Sequence, residues 1–268
     1  MRSILSIIIL LSSIVFSSCE LKIKPFESDE EKGDITIARY DRLQSRYLTT
    51  GDYSALQEMN TEYPVETRTL IEKVLQIGEV VDQNISTKYL KFYQDSTLQE
   101  LISDAEAEYA DMDDLNKQFA KSFERIRKWL PIVPIPKIYA QIGALDQSII
   151  IGNKSIGICL DKYLGVNYPL YQRFYSYQQR ASMTRSYIVP DCLVFYLLSF
   201  YPLTDIDKRS QLERDLHMGK IMWVVNKAVG QKFFKDKYVM MVDNYMRKHR
   251  DKTMAQLLEN DDYTTLLP

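Results

Sequence analysis

The chain has 268 residues, of which 46% are hydrophobic and 26% are charged, a composition typical of a globular protein. This balance excludes a disordered or collagen-like chain. The 34 lysines and arginines against 36 acids give a net charge of −2, so no overall positive field exists to bind nucleic acid. The chain contains 19 tyrosines but only 2 histidines. Because histidine is a common catalytic base and metal ligand, the composition favours packing and recognition over catalysis.

The N-terminus is typical of an exported protein. Met1 and Arg2 precede an apolar run over residues 4–16, and small residues then lead to Cys19. As a helix the run would cover about 20 Å, less than the roughly 30 Å of a bilayer core. The segment resembles a bacterial lipoprotein signal, which predicts removal of residues 1–18 and lipidation of Cys19. An ordinary cleaved signal is the alternative.

Residues 19–34 are predicted to form the lipidated cysteine and a flexible tether. The acids clustered at residues 27–31 are typical of a solvated segment. Lys22 and Lys24 interrupt the acidic run that a surface-export signal would place directly after the cysteine. We therefore expect a cell-envelope protein that faces the periplasm, with residues 35–268 forming a single domain.

Apolar residues recur at helical spacing through most of this domain. The clearest case is residues 113–130, where Phe119, Phe123 and Ile126 share one face and Pro131 ends the pattern. The predicted helices cover residues 35–47, 53–59, 69–78, 98–109, 113–130, 190–200, 211–230 and 238–248.

The periodicity changes to that of strands in the middle of the chain. Pro134 and Pro136 favour an extended path into a strand at residues 138–142. Residues 148–151 and 156–160 flank Gly-Asn-Lys, which predicts a hairpin. The predicted fold class is therefore α+β, mostly helical with a small antiparallel sheet in the middle.

No catalytic motif is recognisable in the chain. It lacks the H-E-x-x-H pair of metal ligands, and its two histidines, His217 and His249, lie far apart. Residues 152–157 fit neither a nucleophile elbow nor a phosphate-binding loop. We expect no catalytic residue, metal or cofactor. Cys159 and Cys192 would remain after export, and their spacing leaves open whether they form a disulfide.

Tyrosines are concentrated between residues 163 and 201. Tyrosine combines a large apolar ring with a polar tip, so such a cluster suits either the rim of a core or a surface that binds peptide, glycan or protein. The members are Tyr163, Tyr168, Tyr171, Tyr175, Tyr177, Tyr187, Tyr196 and Tyr201.

Four short segments in the same region carry a family pattern. They read IGICLDKYLG at residues 156–165, YPLY at 168–171, YIVPD at 187–191 and GK at 219–220. With IARYD at residues 37–41, they resemble the gliding-motility lipoprotein GldB family of Bacteroidota. Most of the mature chain is covered by the resemblance, and its specificity is concentrated near residues 161–165.

The resemblance implies a layout similar to that of predicted zinc peptidases, in which a sheet precedes a metal-binding helix. At that place the chain has Pro190–Val194 and no histidine. The resemblance thus implies a zincin-like scaffold without its metal site, and it transfers no catalytic residue. In structural terms, Asp161 is expected to cap the turn that follows it, and Gly165 is expected to permit a tight chain reversal.

The leading hypothesis is a non-enzymatic, lipid-anchored component of gliding-motility-type or related envelope machinery. It would attach to the membrane through its N-terminal lipid and bind an envelope protein through the sheet edge or the tyrosines. Two alternatives stay open: an unconventional periplasmic hydrolase using the carboxylates near Asp161 and Asp191, and a glycan- or peptide-binding lipoprotein. The candidate binding residues are Asp161, Tyr163, Gly165, Tyr168, Tyr171, Tyr175 and Asp191.

Overall fold

The computed structural model describes residues 35–267, which belong to one compact unit. The predicted signal peptide, Cys19 and the tether lie outside the described residues. The α-helices of the described part are α1 (Tyr40–Thr50), α2 (Tyr53–Glu62), α3 (Pro64–Thr69), α4 (Ile85–Phe92), α5 (Ser96–Glu108), α6 (Asp113–Trp129), α7 (Pro169–Phe174), α8 (Tyr177–Arg180), α9 (Ile188–Phe200), α10 (Gln211–Val229), α11 (Lys237–Lys248) and α12 (Met254–Glu259).

A small four-stranded sheet lies among these helices, which confirms the predicted α+β class. Its strands are β1 (Ile37–Ala38), β2 (Lys137–Gln141), β3 (Ile149–Gly152) and β4 (Ser155–Cys159), in the order β1-β2-β4-β3. The predicted hairpin is present, because β3 and β4 pair antiparallel with Gly152 opposite Ser155.

The prediction that the whole sheet is antiparallel was wrong. Strand β2 pairs parallel with β4 and with β1, so the sheet is mixed. The chain leaves β2, crosses to the edge strand β3 and returns as β4 in the central position. Residues 37–38, which were predicted to be helical, extend the opposite edge, and the first helix begins only at Tyr40.

Helix α6 shows why the strongest periodic pattern was predicted well. Leu115, Phe119, Phe123 and Ile126 recur at intervals of three or four and are at most 1% exposed, while charged residues occupy the other face. The helix ends at Trp129, just before Pro131. It supplies one wall of the core that surrounds the sheet.

Helix α9 is the central helix of the domain. It contacts β3 and β4 as well as α6 and α10, so it is covered on several sides. This explains its nearly continuous apolar sequence. Asp191 is the one acid in its first turn, which places a carboxylate beside the tyrosine cluster.

Helix α10 holds the C-terminal segment through a buried lysine. Lys220 is 1% exposed, and its ammonium group donates a 2.7 Å hydrogen bond to the carbonyl of Asn260, just after α12. The ammonium nitrogen also lies 4.5 Å from the ring centroid of Tyr263. Burial lowers the pKa of Lys220 to about 8.

Cys159 and Cys192 are both free and fully buried. The disulfide between them that the sequence left open is therefore not formed in this structure. Burial raises the pKa of both thiols. Among residues 35–267, no helix has the combined length and apolarity needed to cross a bilayer.

Candidate functional site

The candidate site begins where β4 ends and the chain turns through Leu160–Lys162. Asp161 is fully buried there. Its Oδ1 accepts a 2.7 Å hydrogen bond from the backbone N–H of Gly143, and its Oδ2 accepts a 2.6 Å bond from that of Leu145. Burial raises the pKa of Asp161, and these two N–H groups oppose the rise because they stabilise the anion.

Asp161 therefore fixes a turn that precedes it in the chain, and the expectation that it caps the following turn was wrong. Ala144 and Leu145 both have positive φ, at 51° and 64°, a conformation that is unfavourable for residues with a side chain. The carboxylate compensates by binding the N–H groups on either side of Ala144. This contact joins the end of β2 to the end of β4.

Gly143 is required in this turn by a close approach. A Cβ at this position would lie 2.7 Å from the Sγ of Cys159, closer than real side chains approach, and a tight 3.2 Å from its Cβ. Asp161 thus binds the backbone N–H of a residue that has no room for a side chain beside Cys159.

Two tyrosines of the cluster fasten the chain after Asp161. The hydroxyl of Tyr171 donates to the carbonyl of Asp161 and accepts a 3.0 Å hydrogen bond from the N–H of Leu164. The carbonyl of Tyr163 accepts a 2.6 Å bond from the Tyr109 hydroxyl. Tyr163 and Tyr171 are at most 2% exposed, so their rings support the site from the protein interior and do not reach solvent.

Tyr163 also reaches the start of α9. Its hydroxyl donates a 3.0 Å hydrogen bond to Oδ2 of Asp191. Burial raises the pKa of Asp191 to about 7, and the hydrogen bond from Tyr163 opposes this rise. Unlike Asp161, Asp191 accepts no backbone hydrogen bond from any other described residue. Its charge is therefore poorly stabilised by the fold.

Residues 165–183 form a closed loop, here called the tyrosine loop. Leu164 and Thr184 are bridged at its base, and the N–H of Gly165 donates a 2.9 Å hydrogen bond to the carbonyl of Met183. Gly165 has a φ of +111°, so the predicted role of this glycine in a chain reversal agrees with its backbone conformation. The two ends of the loop are thus held together.

Two further predicted residues hold the body of the loop. The hydroxyl of Tyr168 donates a 2.8 Å hydrogen bond to Asp104 of α5. Tyr175 accepts a 3.0 Å bond from the ammonium group of Lys162, which also lies 4.6 Å from the centroid of its ring. Tyr168 and Tyr175 are partly buried, and they lie between the buried tyrosines and the surface.

The exposed tip of the loop consists of residues outside the seven candidate binding residues, although Tyr177 belongs to the tyrosine cluster found in the sequence. Phe174 and Tyr177 are each 68% exposed, and Arg173 is exposed beside them. Residues 162–190 contain Lys162, three arginines and no acid. The structure therefore presents an aromatic, cationic tip on a base fixed by buried tyrosines.

The seven predicted binding residues thus divide into separate groups. Asp161, Tyr163 and Tyr171 are buried, and Asp191 is half-buried at the start of α9. Tyr168 and Tyr175 hold the body of the tyrosine loop, and Gly165 lies at its base. Exposure decides which aromatic residues can touch a partner, and the sequence carries no signal for it in helices as short as α7 and α8. Among residues 35–267, no cluster of three histidines, cysteines or acids could hold a metal ion.

Comparison with known protein families identifies the family to which the chain belongs. The family described as gliding motility protein GldB matches residues 22–238, which is most of the sequence. The chain belongs to the GldB family. This family is one of lipoproteins, so membership implies association with the cell envelope. No curated protein and no solved structure matches the chain, and the zincin-like layout stays a prediction.

Proposed function

We propose that the chain is a lipid-anchored, periplasm-facing envelope protein that acts in gliding-motility-type or related machinery without catalysing a reaction. In this proposal a lipid on Cys19 attaches it to the membrane, and the tyrosine loop binds an envelope protein. Membership of the GldB family supports the assignment to motility machinery. The positively charged lysines after Cys19 support the orientation toward the periplasm.

The observation that carries the binding role is the exposed tip of the tyrosine loop. Phe174 and Tyr177 present large apolar rings to solvent on a base fixed by hydrogen bonds. A rigid aromatic group loses little conformational entropy on binding, so such residues commonly contribute most to the affinity of an interface. Arg173 and Arg180 add charge that favours a partner with an acidic rim.

A crosslinking experiment in living cells tests this role. A photoreactive residue replaces Phe174 in a C-terminally tagged chain, and the crosslinked partner is identified by mass spectrometry. We expect one reproducible envelope partner. A separate Phe174→Ser/Tyr177→Ser variant, expressed in place of the parent, should recover much less of it after chemical crosslinking.

The matched control is Val81→Ser/Ile206→Ser, which removes two apolar side chains that are 74% and 54% exposed elsewhere. Both double variants should keep the free energy of unfolding within about 0.5 kcal/mol of the parent, as surface substitutions usually do. Recovery of the chain alone, or equal loss of the partner in the control, would contradict the proposal. Substrate screening for the hydrolase and ligand-binding alternatives would then follow.

Lipidation has an independent test. Cys19→Ser should move the protein from the membrane fraction to the soluble fraction, because the attached acyl chains and not the fold would hold it to the bilayer. Mass spectrometry of the parent should find the acyl groups on a mature chain that begins at Cys19. A mature chain that starts elsewhere without lipid would overturn the anchoring step and leave the partner-binding role intact.

A further inference from the structure

A groove of about 670 Å³ lies between α10, α11 and the loop that connects them. Its apolar lining consists of Trp223, Phe234 and Val239, which form the floor, and Met240. Trp223 and Val239 are nearly buried, whereas Met240 is 59% exposed. The groove is thus a depression with a recessed apolar floor and one exposed apolar side chain at its side.

The shape of the groove is fixed by a buried amide. Asn226 is 7% exposed, and its Nδ2 donates a 2.8 Å hydrogen bond to the carbonyl of Phe234. Its Oδ1 accepts from the N–H groups of Phe233 and Phe234, at 2.9 Å and 3.1 Å. Three hydrogen bonds from one side chain hold the connecting loop, so little ordering would be needed when a ligand binds.

Positive charge surrounds this floor. Four cations line the groove against a single carboxylate, Asp243. Asp243 accepts a 2.8 Å hydrogen bond from the indole N–H of Trp223 and pairs with two of the cations, at 2.8 Å and 3.4 Å. The other two form no ion pair within residues 35–267. The cations are Lys227, Lys232, Lys235 and Arg247.

We infer that this groove binds an acidic polypeptide segment carrying a large apolar side chain. The apolar side chain contacts Met240 and the floor, and the acids of the segment face Lys232 and Lys235. A groove with a recessed floor favours a protruding side chain over a flat membrane surface. Trp223 is only 7% exposed, so it offers no ring face on which a nucleic-acid base could stack.

Direct binding to the mature chain tests the inference. The protein is residues 19–268 with Cys19→Ser, and Trp129→Phe leaves Trp223 as its one tryptophan because the sequence has 2. The probe is a short labelled peptide in which glutamates flank a central phenylalanine and leucine. We expect saturable binding by fluorescence anisotropy, together with a change in the emission of Trp223.

Charge reversal and loss of apolar surface should each weaken binding. Lys232→Glu/Lys235→Glu is expected to reduce affinity by about tenfold or more, and Met240→Gln by several-fold. The matched controls are Lys117→Glu/Lys121→Glu on the exposed face of α6 and Ile206→Gln, whose side chain is 54% exposed. Both controls should bind the peptide as the parent does.

Three results would overturn the inference. Equal affinity for a peptide with serines in place of phenylalanine and leucine would show that the floor is not used. Lysine-dependent binding to phosphatidylglycerol vesicles, without binding to the peptide, would assign the surface to a membrane. Absence of saturable peptide binding at low salt, where charge attraction is strongest, would remove the site altogether. None of these outcomes affects the crosslinking test of the tyrosine loop.

Discussion

Two carboxylates in the candidate site, the fully buried Asp161 and the half-buried Asp191, differ in what surrounds them. Asp161 lies at the end of β4 and accepts a backbone N–H at each oxygen. Asp191 lies in the first turn of α9 and accepts one hydrogen bond, from the hydroxyl of Tyr163. Burial raises the pKa of both groups. Only Asp161 has backbone partners that would be left unpaired if the carboxylate were lost.

This difference indicates that the two acids contribute in opposite ways to stability. Asp161 joins two turns and compensates for the unfavourable backbone of Ala144 and Leu145, so folding explains its presence. Asp191 places a charge in a largely apolar position with one hydroxyl as its partner. Carboxyl groups whose pKa is raised by burial are common at binding sites, where stability is often sacrificed.

The same substitution at the two positions should therefore have opposite effects, and the largest loss of stability is expected at Asp161. Asp161→Asn leaves one acceptor oxygen and turns an amide N–H₂ toward the other backbone N–H, so two donors face each other. We expect the free energy of unfolding to fall by about 2–3 kcal/mol. Urea unfolding of the mature chain, followed by circular dichroism, measures this. An unchanged midpoint would show that the turn does not depend on the carboxylate.

The next largest loss of stability is expected at Gly143, whose N–H is bound by Asp161. Gly143→Ala would force its methyl group against the Sγ of Cys159, and we expect a loss of about 1–2 kcal/mol. Adding Cys159→Ala removes the sulfur atom that clashes. The double variant should lose less stability than the two single losses added together, and strict additivity would contradict the steric explanation.

Local patterns predicted much of the fold from the sequence. Helix α6 and the β3–β4 hairpin depend on apolar spacing and turn residues within one short segment, and both were predicted within a few residues. The parallel pairing of β1 with β2 depends on residues that are far apart in the sequence. The packing of the helices brings these two strands together, and the two residues of β1 carry no local pattern that would predict it.

The candidate site was predicted in part for a similar reason. Tyr171 and Phe174 lie three residues apart on α7, yet one is fully buried and the other is 68% exposed. A helix of 6 residues is too short for periodicity to show which face is covered. The segment at residues 156–165 indicated the right region of the chain, but the contact of Asp161 with an earlier turn could be seen only in the structure.

The effect expected at Asp191 is a gain of stability, opposite in sign to the two losses. The pKa of this carboxyl is about 7 in the folded protein, above the usual value of 3.8. Between about pH 4 and pH 7 the folded state keeps a proton that the unfolded state has released, so the free energy of unfolding falls as the pH rises. Asp191→Asn cannot titrate and can still accept the Tyr163 hydrogen bond. A shift of this size corresponds to about 4 kcal/mol at pH 8, and we expect Asp191→Asn to be more stable than the parent by up to that amount.

The pH dependence separates this explanation from a general gain in packing. The advantage of Asp191→Asn should be nearly absent below pH 4, grow up to about pH 7 and stay constant above it. Tyr163→Phe is the companion variant, since it removes the one hydroxyl partner of Asp191 and should raise the pKa of Asp191 further. Parallel urea titrations from pH 3.5 to pH 8.5 measure both. A constant difference between Asp191→Asn and the parent across this range would show that the carboxylate is not the source of the effect.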